Sequence, residues 1–112
     1  MVYSSRSFGL GALLLVSAPI LAAQVSTARL EGFVIDPSGA LVAGAKVTAV
    51  NTRTRLAIGV STDAKGYFAF PSLAPSLYRV AVEAPGFRKA SMENLELNAS
   101  SVVAENFRLE IG

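Results

Sequence analysis

The sequence predicts an all-β protein, a seven-stranded antiparallel β-sandwich preceded by an export signal. Three observations predict it. About seven extended segments recur at roughly 8–12-residue spacing with turn residues between them. Apolar and polar residues alternate within those segments, and no segment after residue 23 sustains a helical period. The stretch Thr62-Asp63-Ala64-Lys65-Gly66-Tyr67-Phe68-Ala69-Phe70 reads as a tight turn feeding a strand. Asp63 can bond nearby backbone and Gly66 accepts positive φ, so both suit a turn. Phe68 and Phe70 fall on one strand face and Tyr67 and Ala69 on the other. The two phenylalanines anchor the expected core.

Length and composition bound the function. The chain has 112 residues, room for one domain, with no Cys, His or Trp. Without Cys there is no disulfide framework, thiol nucleophile or thiolate metal site. Without His the commonest general base and zinc ligand are missing. The net charge of +2 is small and its charges are scattered, unlike the clustered Lys and Arg of a nucleic-acid footprint. The sequence thus implies no enzyme, no cofactor, no metal and no nucleic-acid partner.

Residues 1–23 have the three-part pattern of a signal peptide. Arg6 is the positive n-region, Leu10 to Leu21 is a nearly unbroken apolar run, and Ala22-Ala23 precede Gln24. The competing reading is a membrane anchor. A run of about a dozen residues is well short of the roughly 20 that span a bilayer. Cleavage is expected after Ala23, leaving residues 24–112 with net charge +1 and no membrane span. The expected location is periplasmic, outer-membrane-associated or extracellular.

The segments follow in order. Arg29 to Ile35 is the first strand, with Arg29 and Glu31 opposite Leu30 and Val34. Asp36-Pro37-Ser38-Gly39 ends it in turn residues. Ala40 to Gly44 connects to the second strand, Ala45 to Asn51, where Ala45, Val47 and Ala49 share a face. Asn51 to Arg55 is a polar loop. Leu56 to Thr62 is the third strand, and Gly59 within it suggests a bulge. Tyr67 to Phe70 is the fourth. Pro71 to Ser76 reads as a loop, because proline cannot serve a central ladder. Leu77 to Glu83 is the clearest strand, with Tyr78, Val80 and Val82 inward and Arg79 and Glu83 outward. After the Ala84-Pro85-Gly86-Phe87 turn, the sixth strand lies within Arg88 to Leu97, strongest at Leu95 and Leu97. Asn98-Ala99-Ser100 turns the chain. Ser101 to Ile111 is the last strand, with Phe107, Leu109 and Ile111 on one face.

Glu31-Gly32-Phe33-Val34-Ile35-Asp36 through Gly39, Gly44-Ala45-Lys46-Val47, Thr62 to Phe68, Tyr78-Arg79-Val80 and Ala84-Pro85-Gly86-Phe87 occur in an order and spacing that resemble the carboxypeptidase regulatory-like domain. The resemblance covers roughly Ala28 to Gly112 and places the domain at residues 24–112. It implies a transthyretin-like (prealbumin-like, Ig-like) sandwich. The family's name comes from a domain that accompanies a zinc peptidase, and catalysis lies elsewhere. Asn106 to Gly112 is similar to the segment that leads into the plug of Oar-like TonB-dependent outer-membrane receptors. The chain is therefore expected to be a free-standing domain or a fragment of such a receptor. Two loops depart from the family pattern. Ser76 stands where a Gly usually follows Pro, and no Pro lies near Leu41 and Val42.

Each candidate site has a plainer alternative. Tyr67, Phe33 and Phe87 are the candidate ligand contacts. Exposed aromatics stack on sugar rings, whereas the alternative is edge packing of the core. Asp36 and Asp63 suit a calcium site or, more simply, turn stabilisation. Lys46 and Asn106, with Glu31 or Glu83, are the only pair suited to an isopeptide bond, and alternation turns both towards solvent. Asn98-Ala99-Ser100 matches the N-glycosylation pattern but also makes a turn. Glu93 and Glu96 lack a partner for acid–base work. The sequence thus points to an exported interaction domain whose partner is a cell-envelope protein or polysaccharide. The alternative is a carbohydrate-binding module using the three aromatics.

Overall fold

The computed structural model describes residues 26–112, and the signal-peptide reading of residues 1–23 lies outside them. The described residues contain eight strands: β1 (Ala28–Ile35), β2 (Lys46–Asn51), β3 (Ala57–Ser61), β4 (Tyr67–Leu73), β5 (Ser76–Glu83), β6 (Ala90–Leu97), β7 (Val102–Ala104) and β8 (Phe107–Arg108). They form two sheets. One runs β4-β1-β7 with β8 also on β1, and the other runs β3-β2-β5-β6.

Period-two alternation builds the layer between the sheets. Leu30 and Val34 of β1, Phe68 and Phe70 of β4, Val47 and Ala49 of β2, and Tyr78, Val80 and Val82 of β5 are all buried. Phe68 packs edge-on against Phe70 at 6.0 Å and tilted against Phe107 at 6.1 Å. The aromatic pair is therefore buried in the core between the sheets, as its spacing predicts. Tyr78 is buried with its hydroxyl donating to the Ala74 carbonyl at 2.6 Å, which satisfies the one polar atom on that ring.

Three local expectations are corrected. The region after Phe70 is not all loop: β4 continues through Pro71 to Leu73. It can do so because β4 is an edge strand, where a missing N–H costs no ladder bond, and the pairing with β1 shifts register between Ala28 and Leu30. Gly59 marks no bulge, since β3 pairs β2 in continuous register from Lys46/Ser61 to Val50/Ala57. The bulge of that sheet lies between β5 and β6, where Asn94 takes φ 56°. The last predicted strand is broken into β7 and β8, and both run parallel to β1. The sandwich is thus not wholly antiparallel.

That break has a local cause. Glu105 donates its N–H to the Glu31 carbonyl at 2.9 Å, and its own carbonyl presses on Gly32. Asn106 then lays its exposed side chain along β1, and its Oδ1 accepts the Phe33 N–H at 2.9 Å. A side-chain amide replaces one rung of the ladder between the two short strands.

The two Asp-x-x-Gly turns share one geometry. Asp36 Oδ1 accepts the N–H groups of Ser38 (2.8 Å) and Ala40 (2.9 Å) and the Ser38 hydroxyl (2.7 Å). Asp63 Oδ1 accepts the N–H groups of Lys65 (2.8 Å) and Tyr67 (3.0 Å). In each turn the Gly N–H returns to the Asp carbonyl at 2.9 Å, and Gly39 and Gly66 take φ 89° and 71°. Where the family pattern has Gly, Ser76 instead opens β5 and donates its hydroxyl to Asn51 Oδ1 at 2.9 Å.

Candidate interaction site

The outer face of the first sheet gathers the most chemistry. Residues of β1 alternate, so Arg29, Glu31 and Phe33 project away from the core. Phe33 lies directly opposite Tyr67 of β4. Their rings tilt together at 59° with centroids 5.4 Å apart, and Phe33 stays 40% exposed. Beside them Arg29 Nε donates to Glu31 Oε1 at 2.8 Å. The Tyr67 hydroxyl also donates to Glu31 Oε1, at 2.9 Å, and accepts from the second guanidinium nitrogen of Arg29 at 3.1 Å.

The electrostatics fix what this patch can do. The bonds from Arg29 and then Tyr67 hold the Glu31 carboxyl below the usual carboxylate range, and its bond to Glu31 raises Arg29. Glu31 is therefore ionised at neutral pH and cannot act as a general acid there. The patch offers a half-exposed aromatic pair for apolar faces and a fixed polar rim for hydroxyls. Those are binding features.

The other candidates fall elsewhere. Phe87 does not join Phe33 and Tyr67. It sits on the β5–β6 connection, bridges to Ile111 and packs against the core, so edge packing describes it. The oxygens of Asp36 and Asp63 are occupied by turn amides, and those bonds hold both carboxyls below their ordinary range. Lys46 lies in the second sheet, paired with Ser61 and Glu83, while Asn106 is bonded to β1 in the first. The structure does not bring that pair together. Glu93 meets Arg79 at 3.8 Å on an open surface. Asn98 makes a turn, its carbonyl accepting the Ser101 N–H and hydroxyl.

Sequence reasoning missed one region, the β2–β3 loop. Asn51 is buried, and its Oδ1 gathers the N–H groups of Arg53 (2.9 Å) and Thr54 (3.2 Å) along with the Ser76 hydroxyl. Thr52 bonds the Leu77 carbonyl through both its N–H and its hydroxyl. Arg55 is held at φ 69° and donates its N–H to the Asn51 carbonyl at 2.7 Å. A surface cleft of about 350 Å³ lies here, lined by Val50, Asn51, Thr52, Arg55 and Arg79. The signal in the sequence was an Asn heading a Thr-Arg-Thr-Arg run. It reads as a featureless polar loop until the Asn proves to be buried.

Comparison with known proteins bears on this geometry. The model of the carboxypeptidase regulatory-like domain matches residues 29–110. The chain belongs to that family. It is a regulatory-like, non-catalytic domain, consistent with a surface of binding features. No curated protein matches the chain in sequence. Among solved structures, the Bacillus anthracis TIE protein superposes with TM-score 0.65 at 19% identity, over 77% of this chain and 17% of that one. A candidate carbohydrate-binding protein of Bacteroides uniformis gives 0.62 at 16%, over 75% and 41%. Hydroxyquinol 1,2-dioxygenase of Pseudomonas putida gives 0.62 at 12%, over 81% and 58%. This carboxypeptidase regulatory-like domain spans less than two thirds of each, and at such identities the likeness is one of fold.

Proposed function

We propose that this carboxypeptidase regulatory-like domain is an exported interaction module that acts by contact with a cell-envelope protein. Residues 1–23 supply the export signal in this reading. The likeness of Asn106 to Gly112 to a plug-leading segment favours a place ahead of a TonB-dependent receptor. The observation that carries the proposal is an unguarded sheet edge. Sheet edges are normally protected by charge, proline or a bulge. β4 has Pro71 and a register shift, β6 has Glu93, Glu96 and a bulge, and β7 is three residues long. β3, Ala57–Ser61, has no charge, proline or bulge and pairs on one side only. A photo-crosslinking residue at Ser61 should capture a discrete envelope protein in the source cell, and the same probe at Ala69 should not. Equal capture at both positions would refute contact through β3.

The Phe33–Tyr67 pair with its Arg29–Glu31 rim favours a second reading, a carbohydrate-binding module. Stacking needs an exposed ring and hydroxyl recognition needs a fixed polar rim, and both are present. The Bacteroides uniformis neighbour lends this reading its fold-level analogy. Binding on a glycan array, lost in Tyr67→Ala while the circular dichroism spectrum is retained, would establish it. No glycan bound at all would remove it.

A further inference from the structure

The β3 edge has a polarity and a charge that define what can add to it. In an antiparallel ladder, residues alternate between facing the partner strand and facing away. Thr62 donates its N–H to the Ala45 carbonyl, and Asn51 donates to the Leu56 carbonyl. In the continuous β2–β3 register this phase puts the main-chain groups of Ile58 and Val60 on β2. The N–H and C=O groups of Ala57, Gly59 and Ser61 then point out of the sheet. These three residues carry small side chains that leave the edge open. Ile58 (47% exposed) and Leu56 (69% exposed) flank it, ready to be covered by alternate side chains of an added strand.

Charge supplies direction. Residues 37–62 contain Lys46, Arg53 and Arg55 and no acidic residue. Arg53 and Arg55 stand at the N-terminal end of β3 on the loop fixed by Asn51. Among the described residues neither forms an ion pair. Arg55 also lines the cleft it shares with Arg79. A strand added antiparallel to β3 ends, at its C-terminus, at this basic loop, next to Arg55, while Arg53 lines the neighbouring cleft with Ser76, Leu77 and Glu96.

Resting on the interaction-module reading, we infer that β3 binds an extended peptide segment of a partner protein, antiparallel, with acidic residues at the segment's C-terminal end. Main-chain bonds to Ala57, Gly59 and Ser61 supply the affinity, and the positive charge of the loop, Arg55 foremost, selects the acidic end.

The test uses two probe peptides, acetyl-Thr-Val-Thr-Val-Thr-Val-Asp-Glu-amide and its Lys-Lys-ended counterpart, titrated into the full chain labelled with ¹⁵N. The acidic peptide should shift the amide signals of Ala57, Gly59 and Ser61 and bind about tenfold tighter than the basic one, a preference that added salt weakens. Gly59→Pro should abolish binding while the remaining amide spectrum is kept, because its ring replaces only an outward N–H and ordinary contact distances surround the added Cβ. Should Gly59→Pro not fold, the double variant Arg53→Glu/Arg55→Glu decides, since it must reverse the preference towards the basic peptide. Equal binding of both peptides, no shift with either, or shifts confined to the Phe33 and Tyr67 face would overturn the inference. Concentration-dependent β3 shifts without peptide would also overturn it, assigning the edge to a second copy. Crosslinking at Ser61 is scored separately, so capture there with no peptide preference removes the acidic segment and leaves the interaction module.

Discussion

Gly32 shows how one residue can set the path of a distant one. An added Cβ there would collide with the Glu105 carbonyl oxygen and lie 2.7 Å from its carbon. These are backbone atoms, so no rotamer change relieves the clash. Gly32→Ala must push β7 and β8 away from β1 or bend β1 itself. Overpacking of this kind costs about 2–3 kcal/mol, a fall in melting temperature on the order of 10–20 °C for a domain of this size. Thermal denaturation followed at 218 nm would show it, and a shift under about 3 °C would mean that the strand ends yield freely. Gly44→Ala is a useful control. It meets nothing within 4 Å but sits at φ 74°, so its cost is conformational only.

At the scale of the element, the two aspartate turns respond to acid in the same way. Asp36 is held below its usual pKa chiefly by the Ser38 hydroxyl, and Asp63 chiefly by the Tyr67 N–H. A group depressed in the folded state stabilises it above the unfolded pKa of about 3.9. That contribution is lost as the pH falls through the lower folded value. Asp36→Asn/Asp63→Asn keeps an acceptor oxygen at both turns and removes the charge. The parent's melting temperature should therefore exceed the variant's near pH 7, with the gap closing below about pH 4. A gap unchanged down to pH 2 would show that the charges contribute nothing beyond hydrogen-bond geometry.

These turns were legible because their signal is local: Asp and Gly three apart, with the bonding residues between and just after. The strand faces were legible for the same reason, and the inward set Leu30, Val34, Val47, Ala49, Phe68, Phe70, Tyr78, Val80 and Val82 is buried. What escaped depends on partners far along the chain. Pro71 belongs to a strand only because β4 is an edge. The split of Ser101 to Ile111 depends on Gly32, which is distant in sequence, and alternation alone does not say whether a strand runs parallel. The sequence groups Phe33 and Tyr67 with Phe87, and only the β1–β4 register makes the first two a pair, with Arg29 and Glu31 beside them and Phe87 elsewhere.

For the whole molecule, β1 is the strand on which one complete sheet depends. It bonds β4 on one side and β7 and β8 on the other, so its burial is completed by the end of the chain. That final segment also places Phe107 and Leu109 in the core, at 6% and 0% exposure. Each such side chain contributes about 1.5–3 kcal/mol on burial, against a total of about 5–15 kcal/mol for a domain. A chain ending at Ser100 would lose both, expose Phe68 where Phe107 covered it, and turn β1 into an unprotected edge. It is expected to show no cooperative thermal transition and to bind a hydrophobic dye at room temperature. The antiparallel β3-β2-β5-β6 sheet keeps all its ladder bonds in that truncation. A cooperative transition surviving in it would therefore mean that this sheet folds without its partner, and that the first sheet docks onto a preformed half.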